Sequence, residues 1–148
     1  MSDDEQQVWR AFLSMNTAVR KATARQLAAD SNMPTAYYEI LVQLSEAPGR
    51  TLRMSELAQA TEGTQSQLSH AVNRLQERGW VERQRCQEDG RGLFAVLTDA
   101  GMLALQAAAP GHVECVRQVL FDPLTPPQLQ QLRDIAERVA QGAAQPHG

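Results

Sequence analysis

The sequence predicts a mainly helical chain with one small β-hairpin set between helices. Three observations carry that expectation. Apolar residues recur at three- and four-residue steps through most of the 148 positions. One short stretch, Val81 to Leu97, is instead rich in strand formers and interrupted by an Asp-Gly turn signal. Hydroxyl residues stand at the heads of the helical stretches, with glycine or proline near their ends.

The elements follow in order. From about Asp4 to Asp30, Val8, Trp9, Phe12, Met15, Val19 and Ala22 share one face of a long amphipathic helix. Ser31-Asn32-Met33-Pro34 breaks it. Thr35 starts a second helix whose buried face is Tyr37, Ile40, Leu41 and Leu44, and Pro48-Gly49 ends it. Leu52-Arg53-Met54 is a short extended link. Ser55 is expected to cap a third helix, Glu56 to Ala60. Glu62-Gly63 turns, and Thr64 caps a fourth helix running to about Arg78, stopped by Gly79. Trp80 to Cys86 and Leu93 to Leu97 form the hairpin, with the polar tip Gln87-Glu88-Asp89-Gly90-Arg91-Gly92. Thr98 caps a fifth helix reaching about Phe121, which Pro110 is expected to kink or split. Thr125 starts the last helix, with Leu129, Leu132, Ile135 and Val139 on one face. The tail from Gln141 is expected to fray.

Composition narrows the function classes. With 43% apolar residues the chain can build a core. No apolar run of about 18 residues is present, so no membrane span is expected. The acidic start, Met1 to Gln7, lacks the basic and apolar parts of a secretory signal, so the expected location is the cytoplasm. The two cysteines, Cys86 and Cys115, and the three histidines, His70, His112 and His147, have no metal or disulfide spacing. No nucleophile elbow, phosphate loop or zinc-protease motif occurs, so an enzyme is not expected and no cofactor is implied. Net charge is −3, but the segment from Arg50 to Arg91 carries seven arginines and six acids, a local balance of +1. Lys21 is the only lysine; the preference for arginine suits phosphate and guanine recognition, and codon usage explains it equally well.

The order helix, tight turn, helix, hairpin is that of a winged helix-turn-helix. In the fourth helix Leu68, Ala71, Val72 and Leu75 share one face, and Ser66, Ser69, His70, Asn73 and Arg74 point away from it. Hydroxyls, an amide, an imidazole and an arginine have the lengths and hydrogen-bonding groups that reach base edges and phosphates in a major groove. Thr64, Gln65, Ser66 and Gln67 stand at the helix N-terminus, whose free amides favour a phosphate. A capped, solvated helix would carry many of the same residues. In the hairpin, Arg91 at the tip fits a narrow minor groove, with Asp89 placed to align it; an incidental pair on an Asp-Gly turn is the alternative. Arg83 and Arg85 lie on one side of the first strand. They can meet phosphates or guard an exposed edge.

Taken together, Arg53-Met54-Ser55-Glu56-Leu57-Ala58, Ser66 to Leu75, Glu77-Arg78-Gly79-Trp80-Val81-Glu82-Arg83, Asp89-Gly90-Arg91 and Leu97-Thr98-Asp99-Ala100-Gly101 resemble the multiple-antibiotic-resistance regulator (MarR) family. The resemblance implies the order helix, helix, strand, helix, helix, strand, wing, strand, helix, helix. It implies a winged-helix DNA-binding region at 34–100 and a helical dimerisation region at 4–30 and 101–141. The terminal helices would form a two-fold interface, through Val8, Val116, Val119, Leu120, Leu129, Leu132 and Ile135. The two fourth helices would enter successive major grooves of a pseudo-palindromic double-stranded operator. The DNA contacts implied are Thr64, Gln65, Ser66, Gln67, Ser69, His70, Asn73, Arg74, Arg83, Arg85, Asp89 and Arg91. The family commonly has a basic residue where His70 stands, a departure that bears on operator sequence and affinity.

Such proteins typically sense a small, often aromatic or phenolic, effector, which relieves repression. Trp9, Phe12, Met33, Tyr37, Tyr38 and His112 are the candidate lining groups. Trp9, Phe12 and Tyr37 also sit where core residues are expected, whereas Tyr38 and His112 have polar tips that need partners. Two alternatives stand beside this reading. One is a protein–protein adaptor that keeps a winged helix without DNA. The other is an oxidant sensor acting through Cys86, beside Arg85, or through Cys115; a buried inert thiol is the plainer role for each.

Overall fold

The computed structural model describes residues 1–85 and 92–144. The elements run α1 (Asp3–Ser31), α2 (Thr35–Glu46), a 3-10 turn (Pro48–Arg50), β1 (Thr51–Arg53), α3 (Met54–Ala60), α4 (Gln65–Glu77), β2 (Val81–Arg85), β3 (Leu93–Leu97), α5 (Asp99–Val116), a π-turn (Arg117–Phe121) and α6 (Pro126–Ala144). This is the mainly helical fold with a small sheet that the sequence predicts. The expectations for Cys86, Asp89 and Arg91 fall outside the described residues.

The chain divides into two compact units, Thr23–His112 and Met1–Ala22 with Val113–Gly148. In the first unit the sheet is antiparallel with β3 central, in the order β1-β3-β2. Thr51 pairs with Val96 and Arg53 with Phe94. Val81 pairs with Leu97 and Arg85 with Leu93. The alternation of buried and open positions along β3 puts Ala95 and Leu97 inward. They join one core with Leu27 from α1, Met33 from the break that follows it, Ile40, Leu41 and Leu44 from α2, Leu57 from α3, and Leu68, Val72 and Leu75 from α4. Each large side chain so buried contributes about 1.5–3 kcal/mol.

Local chemistry sets the element boundaries. Thr64 and Gln67 form a reciprocal cap on α4: the Gln67 amide donates to Thr64 Oγ1 (3.1 Å) and the Thr64 amide to Gln67 Oε1 (2.9 Å). Gly79 adopts φ +75°, which releases the chain from α4 toward β2. Thr98 Oγ1 accepts from the Gly101 amide (3.0 Å) and donates to the Gly79 carbonyl (2.6 Å), tying the start of α5 to the end of α4. Thr125 caps α6 with Gln128 in the same way.

Four expectations are corrected. The third helix begins at Met54 rather than after Ser55, because the Glu56 carboxylate accepts from the Arg53 amide (2.9 Å) and closes the first turn earlier. The extended link is a true strand, one residue earlier than expected, since Thr51 to Arg53 finds partners on β3. Pro110 does not split α5, which continues to Val116. The proline and Gln106, whose carbonyl loses its helical donor there, are both exposed, so water can take the freed group. The last helix extends beyond Gln141 to Ala144.

The second unit holds the outer part of α1 and α6. Val8, Trp9, Phe12, Met15, Leu132, Ile135 and Val139 line an apolar groove of about 760 Å³ there. Trp9 and Phe12 stack with ring centroids 5.9 Å apart. They were expected at core positions, yet they are 51% and 48% exposed. The amphipathic stripe is real, but in the single chain it stays open to solvent.

Candidate nucleic-acid interface

The helical period of α4 separates two chemistries. Leu68, Ala71, Val72 and Leu75 are buried, and Gln65, Ser66, Gln67, Ser69, His70, Asn73 and Arg74 are exposed. The buried face fixes the helix on the core, so the polar face is rigidly presented. Thr64 is exposed too, but its hydroxyl and the Gln67 side-chain oxygen are already used in the cap. Arg74 pairs with Glu77 at 3.1 Å, an exposed contact worth little in stability and easily exchanged for another anion. Below this face an open cleft of about 490 Å³ runs between α3, α4 and the hairpin, bounded by Ser55, Gln65, Ser69, Asn73, Arg83 and Leu93.

The two strand arginines behave differently. Arg85 is exposed on β2. Arg83 is half-buried and lays its guanidinium against α4. Its Nη2 donates to the Ser69 carbonyl (3.1 Å) and Ser69 Oγ (3.2 Å). Its Nη1 donates to Asn73 Oδ1 and, at 3.5 Å, to Gln76 Oε1. Sequence reasoning set Arg83 facing phosphate or solvent and passed over Gln76. It also passed over Arg78, whose guanidinium lies 4.9 Å from the Trp80 ring centroid and 5.2 Å from that of Tyr37, and donates to the Asn32 carbonyl (3.2 Å). An arginine beside a glycine helix stop and a tryptophan was the available signal for it.

The candidate effector residues do not all gather. Met33 is buried in the core, 1% exposed. Tyr37 packs at its edge under Arg78. Trp9 and Phe12 belong to the other unit. Tyr38 and His112 do meet, with ring centroids 4.4 Å apart. Burial pushes the His112 imidazole below its ordinary pKa and the Tyr38 phenol above its own. Among the described residues, His112 Nδ1, Thr35 Oγ1 and Gln26 Oε1 are buried without a hydrogen-bond partner. Cys115 is a free, half-buried thiol. The described residues hold no group of acids, histidines and cysteines suited to a metal, and no helix long and apolar enough to cross a membrane.

A capped polar helix held across a three-helix core, with a three-stranded sheet leading into a hairpin, defines a winged helix-turn-helix protein. A MarR family model matches residues 31–92. The chain is 49% identical to Sco3205, a MarR family transcriptional regulator from Streptomyces coelicolor solved in complex with DNA; the match covers 99% of this chain and 94% of that one, with a TM-score of 0.90. It is 38% identical to AbsC, another such regulator from Streptomyces coelicolor, over 97% and 96% of the two chains, with a TM-score of 0.88. The transcriptional repressor MprA of Escherichia coli is 27% identical over 99 residues, which are 67% of this chain and 56% of that protein. The chain thus spans little more than half the length of this curated relative. It belongs to the MarR family of transcriptional regulators, and it is not an enzyme.

Proposed function

We propose that the chain acts as a homodimeric, sequence-specific binder of double-stranded DNA that represses transcription until a small effector releases it. The observation that carries the reading is the exposed polar face of α4, opposite a buried apolar one. Its groups match base edges and phosphates, and the N-terminal turn offers free amides. The DNA-bound relative at 49% identity and the relative named a repressor support the same reading. Ser66, Ser69, His70 and Asn73 read bases; Gln65, Arg74 and Arg85 meet phosphates; Arg91 enters the minor groove with Asp89 as its brace. The wing roles rest on the sequence, because the tip lies outside the described residues.

The second copy supplies what the apolar groove of the outer unit lacks. Trp9, Phe12, Ile135 and Val139 are too large and too exposed to suit a free surface. A two-fold partner covering them also gives two reading helices for a pseudo-palindromic site. The effector reading rests on Tyr38 and His112, whose neighbourhood holds buried polar atoms in want of a partner. A small phenol suits that mix of ring face and hydrogen-bonding groups.

Selection of bound genomic fragments with the purified protein tests the function. A pseudo-palindromic consensus, with affinity falling steeply as salt rises, is the expected result. Absence of any enriched sequence, with a weak salt dependence, favours the adaptor reading instead.

A further inference from the structure

We infer that Arg83 is a specificity-determining positioning residue that turns the reading face of α4 into a set of hydrogen-bond donors. The inference rests on the DNA-binding reading above and says which base edges the face selects.

Ser69 and Asn73 stand one helical turn apart on the exposed side of α4. The guanidinium of Arg83, reaching from β2, contacts both. A guanidinium donates only; it carries no acceptor and keeps its proton at any physiological pH. The Asn73 amide atom facing it is therefore the oxygen. The two amide atoms diverge from one carbon, so holding the oxygen on Arg83 sends the NH₂ group away from it. The same rule applies to Ser69: with Oγ accepting from Arg83 Nη2, its hydroxyl hydrogen must point elsewhere. The additional bond from Nη2 to the Ser69 carbonyl, at 3.1 Å, ties the guanidinium to the helix backbone, so the clamp does not depend on side-chain rotamers alone.

This has a direct consequence for base choice. An asparagine with a free oxygen pairs adenine in the major groove, accepting from N6 and donating to N7. With its oxygen turned toward Arg83 and its NH₂ turned outward, Asn73 presents a donor to the groove. Its favoured partners are acceptors: purine N7, guanine O6 and thymine O4. Ser69 Oγ, with one lone pair on Arg83, keeps its hydroxyl hydrogen for an acceptor. The positions facing these two residues therefore favour guanine and thymine edges, whose acceptors N7, O6 and O4 meet the outward donors, over adenine and cytosine, whose exocyclic amines face the Asn73 NH₂ instead of an acceptor. Arg83 does this without contacting DNA, so its loss changes base preference more than the number of phosphates bound.

Selection from random duplexes, followed by salt titration, tests this with wild type, Arg83→Met and Asn73→Asp. Methionine keeps the apolar stem over the helix and removes the donors. Aspartate keeps a partner for Arg83 and removes the outward donor. For wild type the selected site has acceptor-bearing bases at the positions facing Ser69 and Asn73, and replacing a guanine there with 7-deazaguanine weakens binding roughly tenfold. Arg83→Met relaxes those positions, with adenine rising, while the slope of log affinity against log salt is unchanged. Asn73→Asp loses the preference although Arg83 remains, and this outcome does not depend on how well the methionine variant folds. If wild type selects a site and Arg83→Met keeps every base preference but lowers the salt slope by about one, Arg83 is a phosphate contact and the inference is overturned. If wild type selects no site, the DNA-binding reading itself fails.

Discussion

Replacing Gly101 with alanine probes how the hairpin is fastened to the rest of the winged unit. Gly101 is buried in the first turn of α5. A methyl group added there collides with the carbonyl oxygen of Trp80 and comes within 2.7 Å of Leu97 Cδ1. Leu97 can shift, but the carbonyl cannot rotate aside, since it already accepts from the Thr98 amide at 3.0 Å. The strand entering at Val81 must therefore move, or α5 must. Overpacking a close-packed site costs about 1–3 kcal/mol, and contact with backbone puts this case at the upper end. Weakening the Thr98 bond adds about 1 kcal/mol. Alanine's better helix propensity returns about 1 kcal/mol. The net loss is about 2–3 kcal/mol, or about 5–10 °C in melting temperature for a chain of this size. Gly142→Ala is the control, because nothing lies within 4 Å of the added methyl group and its melting temperature should hold or rise slightly. Thermal and urea melts at one fixed protein concentration measure both. A Gly101→Ala melting temperature within about 1 °C of wild type would refute the crowding argument.

Three further outcomes follow from the same structure. Thr64→Ala removes the hydroxyl that caps α4 and should cost about 1 kcal/mol in urea unfolding, with a matching loss of DNA affinity no larger than the unfolded fraction explains. Trp9→Asp with Phe12→Asp places charge on the exposed apolar groove; light scattering at micromolar concentration should then report a monomer where wild type is a dimer, and an unchanged mass removes this groove from the interface. The third concerns pH. Burial lowers the His112 pKa, so as pH falls through its ordinary value of 6.5 the unfolded chain takes up this proton before the folded chain does. Stability is fully present above that value and declines as pH falls through it toward the lower folded-state pKa. Tyr38, shifted upward, gives the opposite limb: stability declines as pH rises past its ordinary value of 10.0. In His112→Phe the acid limb should flatten while the alkaline limb remains, as melting temperatures across pH would show.

Much of the fold was legible because its determinants are local. Thr64, Thr98 and Thr125 announce helix starts by a hydroxyl placed three residues before the amide it accepts from. The two faces of α4 follow from its period alone. What was hidden depends on distant partners. A three-residue strand is too short to show alternation, and β1 exists only because β3 lies beside it. The role of Arg83 required knowing that β2 passes under α4, ten residues away from Asn73. Helical spacing marked Trp9 and Phe12 as apolar-face residues, but period cannot tell whether a chain covers its own stripe or leaves it for another copy. Glu56 closing on Arg53 moved one boundary because a side chain, not the expected Ser55, supplied the cap.

The most direct test of the account compares specific and non-specific DNA affinity for wild type and for Ser69→Ala with His70→Ala, across a salt series. Loss of at least about tenfold on the selected operator, with non-specific binding and salt slope held, is the expected result. An equal loss on operator and random duplex would mean that the exposed face of α4 does not read bases, and the account would fail.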